Sequence, residues 1–424
     1  MARFSELGIH KDLESKLKDQ AISAASPIQE QAIPIILDGK RDLVALAQTG
    51  SGKTLAFGLP IIQNIDTSLD QTQALIIVPT RELGQQIVSE LEYYAPNQIT
   101  GVFGGSSQKS QVDKLRDSKQ IIVATPGRLM DLLDQNKIDL KSLKYLILDE
   151  ADEILQSFED IVLEIIKRSP KEKKSYLFSA TLPGSVKQLT HNYFAKSLSH
   201  IEVESDKTLI SHEFIVVEPI EKLEVLLDHL QSKGEEQGII FCKTKAAVNK
   251  LTKNLAKNKF SVAALHGSLS QGIRDRVMTQ FRDGHIKIVV ATDLAARGID
   301  IKDLGFVINY HLPDTYEAFT HRTGRTARAG KTGTSLTIIQ EEELSEIPYF
   351  EEALNIKFNE IDKADPEKLA ETLSLIWAKK IFKTKPNHDL SPAFKSEIKQ
   401  IFKHLTKEEL IEKVLAHHWQ EKNQ

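Results

Sequence analysis

The chain has 424 residues, 41% hydrophobic and 27% charged, which is material for two or three packed domains and excludes a largely disordered polymer. Lys and Arg together number 55 against 59 Asp and Glu. That balance excludes a histone-like polycation but leaves room for a local basic cleft. The single cysteine, Cys242, rules out an internal disulfide and a Cys-based zinc site.

Met1-Ala2-Arg3-Phe4-Ser5-Glu6 lacks the apolar core of a signal peptide, no apolar run approaches the ~20 residues of a membrane span, and Glu421 to Gln424 is not a lipidation signal. A cytoplasmic protein with no membrane partner is expected. Short apolar runs then recur along the chain: Leu43 to Leu46, Leu75 to Val78, Ile121 to Val123, Tyr145 to Leu148 and Tyr176 to Phe178. They are β-rich and continuous, as strands of a parallel sheet covered on both faces must be. Helical spacing over Arg81 to Leu91 and Gly127 to Asp134 completes a repeated βα winding. After the polar stretch Glu204 to Thr208 the pattern starts again, with Ile239 to Cys242, Val262 to Leu265, Ile288 to Val290, Phe306 to Ile308 and Leu336 to Ile339. The expected organisation is an α/β domain over 1–204, a linker over 205–209, a second α/β domain over 210–356 and a small helical extension over 357–424. The cleft between the domains is a natural ligand site. From 361 to 424 there are 12 lysines, no arginine and 10 acidic residues. Leu369, Leu373, Ile376, Trp377, Ile398, Ile401, Phe402, Leu410, Ile411, Val414 and Leu415 follow helical spacing there. They predict a helical appendage whose apolar positions need burial within itself, on the second domain, or against a second copy or another protein.

The first chemical motif is Ala47-Gln48-Thr49-Gly50-Ser51-Gly52-Lys53-Thr54, directly after a strand. Gly50 and Gly52 let the backbone N–H groups approach phosphates at a helix N-terminus. Lys53 suits the β- and γ-phosphates and Thr54 suits Mg²⁺. Asp149-Glu150-Ala151-Asp152 ends a buried strand. Asp149 suits the Mg²⁺ shell, and Glu150 suits the activation of a water. In His321-Arg322-Thr323-Gly324-Arg325-Thr326-Ala327-Arg328 the two arginines Arg325 and Arg328 share a face if the run is helical, where they would clamp a γ-phosphate held by the first domain. Cys242 and Trp377 are expected to pack, and His417-His418-Trp419 to end a helix. His266 either touches RNA or caps a strand.

In this order and spacing the motifs resemble those of the DEAD-box RNA helicases of helicase superfamily two, in their bacterial form, over residues 4 to 340. The signature string is Asp149-Glu150-Ala151-Asp152 itself. Around it stand Phe4, Ser26-Pro27-Ile28-Gln29, the phosphate loop, Pro79-Thr80-Arg81-Glu82-Leu83, Gly104-Gly105, Thr125-Pro126-Gly127-Arg128 and Ser179-Ala180-Thr181. Phe241 with Thr244, Gln271 with Arg274, Ala291-Thr292-Asp293 to Arg297-Gly298-Ile299-Asp300 and the arginine run complete the set. The resemblance implies two tandem RecA-like domains with parallel sheets, and an RNA-stimulated ATPase that locally unwinds RNA or remodels ribonucleoprotein with ATP and Mg²⁺. It implies ATP contacts from Phe4, Gln29, Thr49, Gly50, Ser51, Gly52, Lys53, Thr54 and Asp293, with Gln29 on the adenine and Asp293 on the ribose. It implies coupling through Asp152, Ser179, Ala180, Thr181 and His321. RNA-backbone contacts are implied for Pro79, Thr80, Arg81, Gly105, Thr125, Gly127 and Arg128 in the first domain, and for Thr244, Gly267, Arg274 and Thr292 in the second. The sequence departs from the family at Ala21-Ile22, where Gly-aromatic is common, at Ala25-Ser26, where Pro-Thr is common, and at Thr323 and Ala327, where Ile and Gly are usual. A non-unwinding RNA clamp and a protein-remodelling ATPase are the other classes open to these residues.

Overall fold

The computed structural model describes residues 2–48, 50–104, 119–203, 210–296, 304–327, 332–363, 374–375, 377–378, 381–382, 384 and 391–422. The first domain is a parallel sheet of seven strands: β1 (Asp42–Leu46), β2 (Ala74–Ile77), β3 (Ile99–Val102), β4 (Ile121–Ala124), β5 (Tyr145–Asp149), β6 (Lys174–Ser179) and β7 (Leu198–Glu202). Their spatial order is β3-β4-β2-β5-β6-β1-β7. Alternation along each strand divides the core into two layers. Leu43, Ala45, Ile76, Ile147 and Tyr176 pack on one face with Phe57 and Leu91. Val44, Leu75, Leu146 and Leu177 pack on the other with Leu129, Ile154 and Val162. Each fully buried Val, Leu, Ile or Phe among them contributes roughly 1.5–3 kcal/mol through the hydrophobic effect, and two-sided cover explains why these strands look continuously apolar in sequence.

The second domain repeats the plan with β8 (Ile210–Val216), β9 (Gly238–Phe241), β10 (Val262–Leu265), β11 (Ile288–Ala291), β12 (Phe306–Asn309), β13 (Gly333–Ile339) and β14 (Phe358–Glu360), in the parallel order β10-β11-β9-β12-β13-β8-β14. This sheet continues to Glu360, so residues 358–360, counted by sequence with the helical extension, pair with β8 from Phe358↔His212 to Glu360↔Phe214. Cys242 is buried in the core, and burial pushes its thiol up to about 12, consistent with a packing role.

The helices Pro392–Ile401 and Lys407–Lys422 form as the spacing predicts, the first capped by Ser391 Oγ, which accepts from Phe394 N. Their apolar positions do not find the expected burial. Among the described residues past 360 none is buried, and Phe394, Ile401, Phe402 and Ile411 are exposed. Trp377, expected as a packing residue of this extension, is half-buried. Leu369, Leu373 and Ile376 lie outside the described residues.

Candidate active site and nucleic-acid interface

In parallel α/β sheets ligands gather at the carboxyl ends of the strands, and here that edge divides in two. The neighbours β5, β6 and β1 carry the acidic motif, Ser179-Ala180-Thr181 and the phosphate loop. The neighbours β2 and β4 carry Pro79-Thr80-Arg81 and Thr125-Pro126-Gly127.

On the first flank, Gly50 and Gly52 have φ of +87° and +95°, a region side chains resist. A Cβ on Gly52 would also come within 2.6 Å of Gln29 Nε2. Gln29 is tied into this loop: Nε2 donates to Gly52 O at 3.0 Å and Oε1 accepts from Ser26 N at 2.9 Å. Ser26 Oγ donates to Ser51 O at 2.7 Å. Phe4 is buried in the same core, and Ile22 packs against it. The helix Lys53–Asn64 starts at the loop and places Thr54 in its first turn. Lys53 Nζ lies 3.8 Å from Asp149 Oδ1, with both side chains buried. Lys53 Nζ, Ser51 Oγ, Glu150 Oε2 and Ser179 Oγ are buried without a hydrogen-bond partner among the described residues. Such orphaned donors and acceptors converging on one edge fit a polyanionic ligand rather than a dry core. Thr54 and Asp149 supply the hard oxygen donors that Mg²⁺ takes.

Glu150 sits between β5 and the helix Ala151–Arg168 with φ +55° and ψ +52°, left-handed backbone that costs a non-glycine residue on the order of 1 kcal/mol. Burial raises the Asp149 carboxyl, partly offset by Lys53. Burial, then the nearby Glu153 carboxylate, push Glu150 up to about 7. Burial would also raise Asp152, but hydrogen bonds from His321 and Thr181 outweigh it and hold that carboxyl far below its usual range. Thr181 reaches Asp152 Oδ2 twice, from N at 3.1 Å and from Oγ1 at 2.7 Å.

The second domain faces this cluster with the helix Tyr316–Thr323, capped by Thr315, whose Oγ1 accepts from Ala318 N at 3.2 Å. His321 crosses to the first domain: Nδ1 meets Glu153 Oε1 at 2.5 Å and Nε2 meets Asp152 Oδ2 at 3.3 Å. Burial pulls the imidazole down, but the two carboxylates outweigh it and push it up to about 10. Arg322 is buried and grips Asp293 with two bonds, Nε to Oδ1 at 2.5 Å and NH2 to Oδ2 at 2.7 Å. The helix ends at Gly324, so Arg325 stands in the following turn rather than on the helical face that the spacing suggests. Arg325 is buried, its Nε donates to His321 O at 3.3 Å, and its charge acts on the Glu150 carboxyl. Thr49, Gly105 and Arg328 lie outside the described residues.

The second flank is built from helix starts. Thr80 caps the helix Arg81–Tyr94, its Oγ1 accepting from Leu83 N at 3.3 Å, and Thr125 stands before the helix Pro126–Asp134 with Gly127 and Arg128 in its first turn. In the second domain Thr244 caps the helix Lys245–Lys257, while Gly267 and Thr292 follow β10 and β11. Open N–H groups at helix starts suit phosphates without regard to base. A Cβ on Gly127 or Gly267 would meet nothing within 4 Å, so these glycines leave the surface open rather than filling a tight fit. Arg274, expected on RNA, joins the domains: NH1 lies 3.0 Å from Glu82 Oε1, and NH2 donates to Ala295 O at 3.2 Å. Gln271 Nε2 donates to the same Glu82 oxygen at 3.1 Å. His266 is buried, with Nε2 at 3.1 Å from Asn249 Oδ1 on the helix Lys245–Lys257, a packing contact with the neighbouring helix. Glu153 is absent from the sequence motifs, and Glu82 and Arg322 stand within them without a role of their own.

Two parallel α/β domains closing over a phosphate loop, paired acids and facing arginines define a nucleotide-hydrolysing motor of the helicase type. The DEAD/DEAH box helicase family matches residues 26–189, the helicase conserved C-terminal domain matches 221–330, and the helical domain of probable ATP-dependent RNA helicases matches 375–421. The chain is 39% identical to the ATP-dependent RNA helicase CshA of Listeria monocytogenes over 83% of this chain and 69% of that protein. The chain belongs to the DEAD-box family of ATP-dependent RNA helicases. Among solved structures, Dbp5 of S. cerevisiae bound to RNA and ADP BeF3 superposes with a TM-score of 0.80 at 27% identity, covering 89% of this chain and all of that one. A DEAD box protein from Methanococcus jannaschii is 36% identical over 85% of this chain and 99% of that one, yet scores 0.52. Among the described residues no helix is long and apolar enough to cross a membrane.

Proposed function

We propose that the two domains close on ATP and on the backbone of single-stranded RNA together, and that hydrolysis resets a clamp which opens short duplexes locally. The observation carrying this reading is that residues of both domains meet at one hydrolytic cluster: His321 bonds Asp152, and Arg325 acts on Glu150. In this reading Lys53 and the backbone of Gly50 to Gly52 hold the phosphates, and Gln29 selects adenine with the amide hydrogen-bonding capacity its loop contacts leave over. Asp293, oriented by Arg322, holds the ribose. Thr54 and Asp149 would hold Mg²⁺, which when bound supplies neutralising charge at the phosphates. Glu150, pushed up to about 7, takes a proton from the attacking water near neutral pH. Arg325 and Arg328 compensate charge that develops on the transferred phosphoryl group, the use to which facing arginines are put in such sites. Thr181, bonded to Asp152, and His321 relay closure between the flanks.

Thr80, Arg81, Thr125, Gly127, Arg128, Thr244 and Thr292 form the RNA track, with contacts to backbone and not to base edges. Pro79, Gly105 and Gly267 shape it. The cytoplasm is the expected setting, and the exposed apolar positions of the C-terminal helices suit a protein partner or a second copy. Strand displacement on a short RNA duplex with a single-stranded tail, run with ATP and with GTP, tests the reading. Displacement with ATP alone, and phosphate release stimulated by RNA, are expected. Phosphate release that ignores RNA, or equal use of GTP, would overturn it.

A further inference from the structure

Both ring nitrogens of His321 face carboxylates, Asp152 at 3.3 Å and Glu153 at 2.5 Å. An ionised carboxylate only accepts, so between two of them both nitrogens carry hydrogen and the ring is the imidazolium, the form that the two carboxylates favour. Asp152 is already engaged by Thr181 through two hydrogen bonds at 3.1 and 2.7 Å. Glu153 is the shorter partner, and its side chain is only 2% exposed. On the other side of the ring, the backbone carbonyl of His321 accepts from Arg325 Nε at 3.3 Å. A path of direct contacts therefore runs from Glu153 through His321 to the arginine facing Glu150.

We propose that Glu153 is a positioning residue of the hydrolytic cycle, the second carboxylate of an interdomain clasp that holds His321 and, through its carbonyl, sets Arg325. The inference rests on the role proposed above for Arg325. The charged groups around His321 are Asp152 and Glu153 from the first domain, Arg322 and Arg325 from its own segment, and Asp293 across the small cavity that they share. Burial opposes the charged ring and the two carboxylates sustain it, so removing one of them brings its titration down toward neutrality.

The test measures RNA-stimulated ATP hydrolysis by full-length Glu153→Ala and Glu153→Gln from pH 6 to 10. For Glu153→Ala, kcat is expected to fall about 10-fold, the loss that sub-ångström misplacement of a charge-compensating group brings. KM for ATP should stay within about twofold, because the Glu153 side chain bonds none of the groups proposed to hold the nucleotide. The alkaline limb of kcat should move down by about one pH unit or more, since the charged ring loses one of its two carboxylates. Glu153→Gln keeps an acceptor and the shape but not the charge, so it should show the same limb shift with a smaller loss of kcat. It supplies the decisive reading if the alanine variant does not fold. Adding Glu153→Ala to His321→Ala should cost nothing further. Wild-type kcat and pH profile in both variants, or a uniform loss with an unmoved alkaline limb, would overturn the inference. Failure of the Arg325 role would show separately, as full activity in Arg325→Ala.

Discussion

The two flanks of one sheet edge are built by opposite means. At β1, β5 and β6 the site is made of buried charge: Lys53, Asp149, Glu150, Asp152 and Glu153 are each no more than 6% exposed. At β2 and β4 it is made of threonines and helix starts, partly open to water. Bond-breaking needs a proton acceptor tuned near neutral pH and charges strengthened by low dielectric, and both require burial. Holding an RNA strand irrespective of sequence needs donors spaced along a surface, and burial would only obstruct it. In the function proposed above, one α/β edge serves both tasks because strand order keeps them apart within a single sheet.

Breaking the buried flank should cost most. Glu150→Gln should lower RNA-stimulated turnover about 100-fold or more while nucleotide and RNA binding persist, as followed by phosphate release and a fluorescent ATP analogue. Breaking the open flank should cost less and differently. Arg81→Ala should raise the RNA concentration for half-stimulation several-fold for every RNA sequence alike, and flatten the salt dependence of binding by roughly one charge.

Acid separates sites by their histidines. Burial pulls His212 and His229 of the second domain each down to about 4. The unfolded chain therefore binds protons below pH 6.5 that the folded domain does not. Their contribution to stability is complete above pH 6.5 and is lost as pH falls toward 4. His321 has the opposite sign: raised to about 10, it supports the closed arrangement fully below pH 6.5 and loses that support as pH rises through 10. Urea midpoints between pH 4 and 7, against interdomain closure between pH 7 and 10.5, should resolve the two. The smallest effect is expected at the departures from the family. Ala21 and Ala327 have φ of +58° and +55°, left-handed backbone at positions where the family carries glycine. Ala21→Gly and Ala327→Gly should each raise stability by up to about 1 kcal/mol in urea titrations.

The central strands were legible because two-sided burial leaves an unbroken apolar run, as in Tyr145 to Leu148 and Ile288 to Val290. β3, β7, β8 and β14 were not: in Ile99–Val102 a threonine and a glycine interrupt the apolar run. Leu198–Glu202 and Ile210–Val216 interleave polar residues with apolar ones, and Phe358–Glu360 is too short to carry a pattern. The motif residues were legible because phosphate and carboxylate chemistry dictates their types and spacing. Arg325 was placed in the right sequence context but on the wrong element, because Gly324 ends the helix one residue before it. The contacts of Glu153 and Glu82 were illegible for a physical reason: each is made with a partner 168 or 189 residues away, His321 or Gln271.

In the proposed cycle both flanks act through one closure of the two domains. Fluorescence energy transfer between one dye on the first domain and one on the second reports it directly, at Lys171 and Lys257 changed to cysteine in a Cys242→Ala background. High transfer is expected only when RNA and a non-hydrolysable ATP analogue are present together, and it should be lost on adding Glu153→Ala at pH 9. High transfer with either ligand alone, or with neither, would contradict the account.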